Sequence, residues 1–218
     1  MPRAGPALLV VTAVEAEAEA VLAGLDRRAP TVAAVGVGQA AAAAGTARLL
    51  ALAEATGRPY RAVICAGVAG GFAGRAEVGA TVLATNTIAA DLGAQSPDGF
   101  LPLDRLGLGE PVRAADPRLF AALRVALPDA LAGDVLTVNT VTGTAAGAAE
   151  LAGRHPAALA EAMEGYGVAC AAALGGVAFA ELRTISNPVG PRDRAAWRLG
   201  TALTALTEAA EGLATVGW

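Results

Sequence analysis

The stretch ALLVVTAVEAEAEAVLAGL (residues 7–25) changes character at its midpoint. Residues 7–14 are apolar apart from one threonine, the composition of a strand buried on both faces of a sheet. From Glu15 to Leu25 alanine, glutamate and leucine dominate, and these residues favour helix. A buried strand that passes straight into a helix is the first element pair of an α/β fold.

The alternation continues along the chain. TVAAVGVG (31–38) reads as a second strand and QAAAAAGTARLLALAEATG (39–57) as a long helix. RAVICAG (61–67) is a third strand running into GVAGGFAG (67–74), read as a tight glycine turn, and ATVLATNTIAADLG (80–93) is a longer strand. A turn-rich loop, SPDGFLPLD (96–104), precedes a helix at 116–127, a strand at 132–140 and a helix at 144–153. GGVAFAELRTIS (175–186) is the last buried strand, and residues 192–213 form the closing helix. Continuous apolar strands separated by helices predict an α/β, three-layer sandwich with a central, mostly parallel mixed sheet. No linker or fixed-period repeat interrupts it, so residues 1–218 are expected to form a single domain. Ligands of such folds bind beyond the carboxyl ends of strands. EAEAE (15–19), GVAGG (67–71) and RTISN (183–187) all stand there.

Composition narrows the function. The chain is 55% hydrophobic and 17% charged, with a mean hydropathy of +0.51. Alanine and glycine supply much of that, and no apolar run reaches the roughly 20 residues of a spanning helix. The N-terminal MPRAGPALLVV leads into an acidic segment without a cleavage site, so no signal peptide is expected. Cys65 and Cys170 lie in apolar strings, as reduced thiols of a cytoplasmic protein would. A net charge of −4 without a basic stripe argues against nucleic acid as a partner, and the run lengths argue against membrane. No residue set has metal-ligand spacing.

Glu15, Glu17 and Glu19 open the first helix, where carboxylates are favoured by the dipole. At about 100° per residue, Glu15 and Glu19 share a face and Glu17 points away from it, toward the sheet edge. The glycines of GVAGGFAG are misspaced for a dinucleotide fingerprint, which leaves close backbone approach to a ligand or a packing turn. Glu164 borders an uncharged helical stretch and Arg183 stands in a buried strand; each needs a partner. His155 precedes a proline in a loop and is expected to be structural. The inventory is two carboxylates, an arginine, an asparagine and a glycine segment, with no nucleophile–base couple. Such a set suits hydrolysis through an oxocarbenium-like state, with one acid activating water.

In their order along the chain, VVTAVEAEAEAVL (10–22), GVAGGFAG, AMEGYGVA (162–169) and LRTISNPVG (182–190) resemble the nucleoside phosphorylase/nucleosidase family. Within it they are similar to the nucleosidases that hydrolyse 5′-modified purine nucleosides. The resemblance covers nearly the whole chain and implies a role for each matching residue. Glu17 matches the acid that activates water, Glu164 the carboxylate that holds the ribose hydroxyls, and Arg183 the arginine near that water. Met163 flanks the ribose carboxylate, Ala69 and Gly70 lie beside the nucleoside, and Val141 and Thr142 cover the base. It implies no cofactor or metal, a small nucleoside substrate, and a homodimer or larger homo-oligomer whose neighbouring subunit closes the 5′ pocket.

Three departures stand out. Val68 replaces a serine and Val141 an aromatic found in the adenine-specific members. Asn187 replaces an aspartic acid. Adenine offers a donor at its 6-position, whereas a 6-oxopurine offers acceptors at both N7 and O6, and an asparagine amide supplies two donors. Asn187 therefore predicts hypoxanthine or guanine as leaving base, held by hydrogen bonding rather than proton transfer. With ADLGAQSPDGFLPLD (90–104), this pattern is most similar to the branch that hydrolyses futalosine in menaquinone biosynthesis. Alternatives are a purine nucleoside phosphorylase, an adenine-specific methylthioadenosine/adenosylhomocysteine-type nucleosidase, and a non-catalytic nucleoside-binding domain.

Overall fold

The computed structural model describes residues 8–25 and 30–216; Ala7, read as the first residue of the first strand, and MPRAGP lie outside them. The elements run β1 (Leu8–Thr12), α1 (Glu15–Gly24), β2 (Thr31–Ala34), α2 (Gln39–Ala55), β3 (Ala62–Gly71) and β4 (Thr81–Ala89). Next come β5 (Gly93–Ser96), β6 (Gly99–Pro102), β7 (Val112–Ala114), α3 (Pro117–Ala126), β8 (Leu131–Thr137) and α4 (Ala145–Arg154). β9 (Ala158–Ala162), α5 (Gly165–Gly175), β10 (Ala178–Pro188) and α6 (Leu199–Leu213) complete the chain.

Strand alternation builds the layers. Leu8 and Val10 of β1 pack with Ile64 and Leu182 against Val21, Leu119, Leu123, Leu206 and Leu213 of α1, α3 and α6. Leu9 and Val11 point the other way, joining Val63, Cys65 and Phe179 against Leu50, Val168 and Ala172 of α2 and α5. Both faces of the sheet are thus covered, which is why its strands read as unbroken apolar runs. The expected α/β sandwich with a mostly parallel mixed sheet is the observed architecture. Pairings β1–β2, β1–β3, β3–β10, β4–β8 and β8–β9 are parallel, while β3–β9, β4–β10 and β4–β7 are antiparallel.

The sheet also curls on itself. β3 pairs with both β9 and β10, so β3, β10, β4, β8 and β9 form a closed ring from which β1 and β2 extend. Closure sets β9 and β10 on opposite edges of β3 at Gly70 and Gly71, and brings together residues of widely separated sequence position.

Strands read at 31–38, 80–93 and 132–140 end earlier, at Ala34, Ala89 and Thr137, and two further differences bear on the site. GVAGG is not a turn: β3 continues through Gly71, with Gly70 and Gly71 paired to Glu161 and Ala160 of β9. A Cβ on Gly71 would stand 2.1 Å from the Ala76 carbonyl, so small residues are needed there for packing between strands. The closing helix begins at Leu199 rather than at residue 192. The Arg198 N–H is drawn back to the Ser186 carbonyl at 2.8 Å, which holds the preceding segment against β10 as a short turn. β9, β7 and the β5–β6 hairpin fell in stretches read as loop or helix border. Each is five residues or fewer, too short to display a period.

Candidate active site

Glu17 is 4% exposed, while Glu15 and Glu19 face solvent, as their helical phases require. Its carboxylate reaches back over the start of α1. Oε2 accepts from the N–H groups of Ala13 (2.9 Å) and Val14 (3.2 Å), satisfying donors the helix leaves open. Oε1 accepts from Val68 N–H at 2.8 Å, across to β3. Val68, which cannot offer a side-chain donor, thus contributes a main-chain one. Three amides fix the acid at the carboxyl ends of β1 and β3.

Arg183 lies beside it. A Cβ placed on Gly67 would stand 2.6 Å from Glu17 Oε1 and 3.1 Å from Arg183 Nη1, so both groups face the same bare glycine. Arg183 is 1% exposed. Its Nε donates to Glu181 Oε1 at 2.8 Å and its Nη1 to Glu164 Oε2 at 3.2 Å. Nη2 points at Cys65 Sγ, 3.2 Å away. Burial pushes the Cys65 thiol well above its ordinary value and outweighs the pull of Arg183, so the thiol stays neutral. Glu164 Oε1 accepts from Gly38 N–H (3.1 Å) and Oε2 from Met163 N–H (3.3 Å). The sequence-predicted trio of Glu17, Glu164 and Arg183 is therefore one cluster built from α1, the start of α5 and β10.

Glu181 was not anticipated. It is fully buried, Oε2 has no hydrogen-bond partner among the described residues, and burial raises its pKa while Arg183 pulls it down. Room for it comes from Gly165, where a Cβ would meet the carboxylate oxygens at 2.2 and 2.3 Å. The arginine in a buried strand was the available signal: a residue two positions earlier shares its face, so a carboxylate there pairs with it.

The second half of the site is a narrow cavity where β3, β9 and β10 meet the 141–142 and 188–197 segments. Gly70, Val141, Thr142, Glu161, Asn187 and Trp197 are among the residues lining it. A bulge positions Asn187: the β10–β3 register passes from Ile185↔Ala69 to Asn187↔Gly70, leaving Ser186 as the extra residue. Asn187 Oδ1 accepts from Ser186 Oγ (2.8 Å), and Nδ2 donates to the Pro188 carbonyl (2.9 Å). A flipped amide would set two oxygens together at Pro188, so the network fixes its orientation. The sequence reading assigned both amide hydrogens to the base; the Pro188 carbonyl takes one, leaving one. Ala69 is buried behind the cavity, and its carbonyl lies 3.2 Å from Ser186 Oγ. Met163 is half-buried beside Glu164 rather than in the cavity lining.

Glu161 was also missed. It is 6% exposed and holds Thr142 twice, accepting from its N–H at 2.8 Å and its hydroxyl at 2.5 Å. Burial raises its pKa, opposed by those two bonds. Nothing near Glu161 in the sequence marks it, because its strand is five residues long and was not recognised.

A more open cavity of about 260 Å³ lies between α2 and α5, at the opposite edge of the sheet. Leu50, Tyr60, Leu174 and Val177 line it with Glu54 as its one ionisable acid, so chemistry rather than size identifies the site. His155 is near neither: its carbonyl accepts from Arg75 Nη1 (3.1 Å), and burial lowers its own pKa.

Comparison with known proteins agrees with this geometry. The phosphorylase superfamily model matches residues 10–216. Futalosine hydrolase of Streptomyces coelicolor is 56% identical over 183 residues, covering 84% of this chain and 77% of the relative. Futalosine hydrolase of Acidothermus cellulolyticus is 48% identical over 219 residues, covering 92% and 87%. Among solved structures, futalosine hydrolase of Helicobacter pylori strain 26695 superposes with a TM-score of 0.78 at 17% identity, covering 94% of this chain and 96% of that one. The 5′-methylthioadenosine/S-adenosylhomocysteine nucleosidase of Neisseria meningitidis, in complex with methylthio-immucillin-A, gives 0.79 at 20% identity, covering 95% and 98%. The two structures share the fold with this chain. Sequence match, sheet closure and the cluster at the strand ends agree, and the chain belongs to the phosphorylase superfamily.

Proposed function

We propose that this protein hydrolyses the N-glycosidic bond of futalosine, releasing hypoxanthine and dehypoxanthine futalosine in menaquinone biosynthesis. The observation that carries the reading is the juxtaposition of an amide-fixed Glu17 with the Arg183–Glu164 pair, beside a cavity presenting the Asn187 amide. The named relatives, two of them about half identical or more, support the same substrate.

Each group has a defined task. Glu17, held by three N–H donors, orients water toward C1′ and takes its proton as the bond to the base lengthens. Glu164 accepts from the ribose hydroxyls, and Met163 packs beside them. Arg183 sets a positive charge among the buried carboxylates, bonded to Glu164 and Glu181. Asn187 donates to the purine as negative charge develops on it, Ala69 and Gly70 form the floor, and Val141 and Thr142 cover the base. No cofactor or metal enters this scheme.

Phosphorolysis fits less well. Arg183 already serves Glu181 and Glu164, and the β1–α1 junction presents Glu15 and Glu17, which would repel a phosphate dianion. The scheme carries with it a cytoplasmic homodimer or larger homo-oligomer. Among the described residues no helix is long and apolar enough to cross a membrane. Sedimentation at working concentration tests the assembly; a monomer with full activity would remove it.

The direct test is base release from futalosine, its 6-amino counterpart, methylthioadenosine and inosine in phosphate-free buffer. Hypoxanthine from futalosine is the expected product. Adenine from methylthioadenosine, or inosine cleavage only with added phosphate, would replace the proposal with one of its rivals.

A further inference from the structure

We infer that Glu161 is a base-specificity residue, accepting a hydrogen bond from N1–H of a 6-oxopurine while Asn187 donates to the neighbouring acceptor edge. The inference rests on the nucleosidase reading and extends it to a residue that reading does not use.

Three observations point to a ligand donor opposite this carboxylate. First, Glu161 lines the same cavity as Asn187, Val141 and Thr142. It stands directly across the β3–β9 ladder from Gly70, whose β10 partner is Asn187. The carboxylate and the amide therefore flank one glycine, whose missing Cβ lets Val189 and Asn187 close in on it (a Cβ would stand 3.0 Å from Val189 Cγ2 and 3.4 Å from Asn187 Nδ2) while both polar groups line the one cavity.

Second, Glu161 is a buried acid without a cation. The salt bridges among the described residues use Glu150, Glu164 and Glu181, not Glu161. Its partners are the Thr142 amide and hydroxyl, both neutral. A neutral acceptor would hold that loop at lower desolvation cost than a carboxylate, so the charge needs another purpose. Two donors also leave about half of the four lone-pair sites on a carboxylate open. Arg192, which lines the cavity rim, makes no bonded contact with it among those described.

Third, Asn187 alone underdetermines the base. With one amide hydrogen on the Pro188 carbonyl, a single donor remains, and adenine N7 could accept it as readily as hypoxanthine N7. Discrimination then requires a group that reads a different atom. At N1 the two bases have opposite polarity: hypoxanthine and guanine carry N–H, adenine a bare lone pair. An ionised carboxylate accepts from the former and repels the latter. Mismatched buried polar groups produce strong selectivity where a mere difference of size does not.

The test compares dissociation constants of free hypoxanthine and free adenine, by calorimetry, for the wild type, Glu161→Gln and Thr142→Val. Glutamine retains the shape but removes the charge and adds an N–H that adenine N1 can accept. The wild type is expected to prefer hypoxanthine, and Glu161→Gln to lower that preference by about 10- to 100-fold, the range of a hydrogen bond to a charged group. Thr142→Val releases the loop but leaves the carboxylate, so affinity falls for both bases and their ratio stays. If Glu161→Gln weakens both bases equally, or Thr142→Val shifts the ratio as much, Glu161 is only a loop clamp and the inference is overturned. Wild-type protein that binds no hypoxanthine, or prefers adenine, also overturns it. Hypoxanthine preference governed by Glu161 in an enzyme that cleaves other 6-oxopurine nucleosides but not futalosine would overturn the substrate assignment and leave this inference standing.

Discussion

In the proposed scheme the ribose end and the base end of the site are built on different principles. At the ribose end Glu17, Glu164 and Glu181 surround Arg183, and each carboxylate is anchored by main-chain amides or the guanidinium. At the base end Glu161 holds Thr142, while the Asn187 amide bonds Ser186 and the Pro188 carbonyl, and among the described residues no cation is paired with either. The first arrangement fixes reacting groups and is costly to perturb, because breaking a buried ion pair strands the remaining charge. The second presents a pattern of donors and acceptors, and substitution there alters which base is accepted more than how fast a bond breaks.

Substitutions can sharpen or break this contrast. The largest effect is expected at the junction of Glu17 and Arg183. Glu17→Gln should lower kcat by on the order of 10³-fold with little change in ligand affinity, measured by base release and calorimetry. Gly67→Ala should approach that loss, since its methyl would enter the 2.6 Å gap to Glu17 Oε1. Activity within tenfold of wild type for either would show that the acid is not the engine of the reaction.

Next comes the support beneath Arg183. Gly165→Ala drives a methyl into the Glu181 carboxylate and should cost about 3 kcal/mol in urea unfolding. Combined with Glu181→Ala, the loss should be smaller than the sum of the single losses, because the clash disappears with its target. Strict additivity would mean the two residues do not share that space.

At the base end, effects should fall on ratios. Asn187→Asp should move the preference between futalosine and its 6-amino counterpart toward the latter by about tenfold or more in kcat/KM. The preference should also depend on pH. Burial raises the Glu161 pKa, with Asp91 adding to the rise and the Thr142 bonds opposing it, so Glu161 takes up a proton at a higher pH than an ordinary carboxylate. Discrimination for hypoxanthine is thus full above that raised value and declines as pH falls through it. A calorimetric ratio that stays constant from neutral pH into the acid range would contradict this. The smallest change is expected for Val141→Phe: a ring over the base should tighten binding a few-fold, by about 1 kcal/mol at most, and leave kcat nearly unchanged.

The same contrast governs how much was legible in the sequence. Glu17 could be assigned inward because helical phase separates it from Glu15 and Glu19, and Arg183 could be expected to pair because arginine is rarely buried alone. The layers followed from unbroken apolar strands. Glu161 and the continuation of β3 through Gly71 were not legible, because both depend on closure of the ring through β9. That is a pairing between residues about ninety positions apart, with no local period to announce it. Asn187 was read from the sequence as a double donor to the base, whereas its bond to the Pro188 carbonyl follows from a bulge at Ser186 that no residue pattern specifies.

The central claim is that water, activated by Glu17, attacks C1′ of a 6-oxopurine nucleoside. It is tested most directly by turning over futalosine in phosphate-free buffer made with ¹⁸O-water and weighing both products. The account predicts ¹⁸O at C1′ of the released sugar, unlabelled hypoxanthine, and loss of the labelled product in Glu17→Gln. A reaction that proceeds only when phosphate is added and yields unlabelled sugar phosphate, or one that survives Glu17→Gln undiminished, would contradict it.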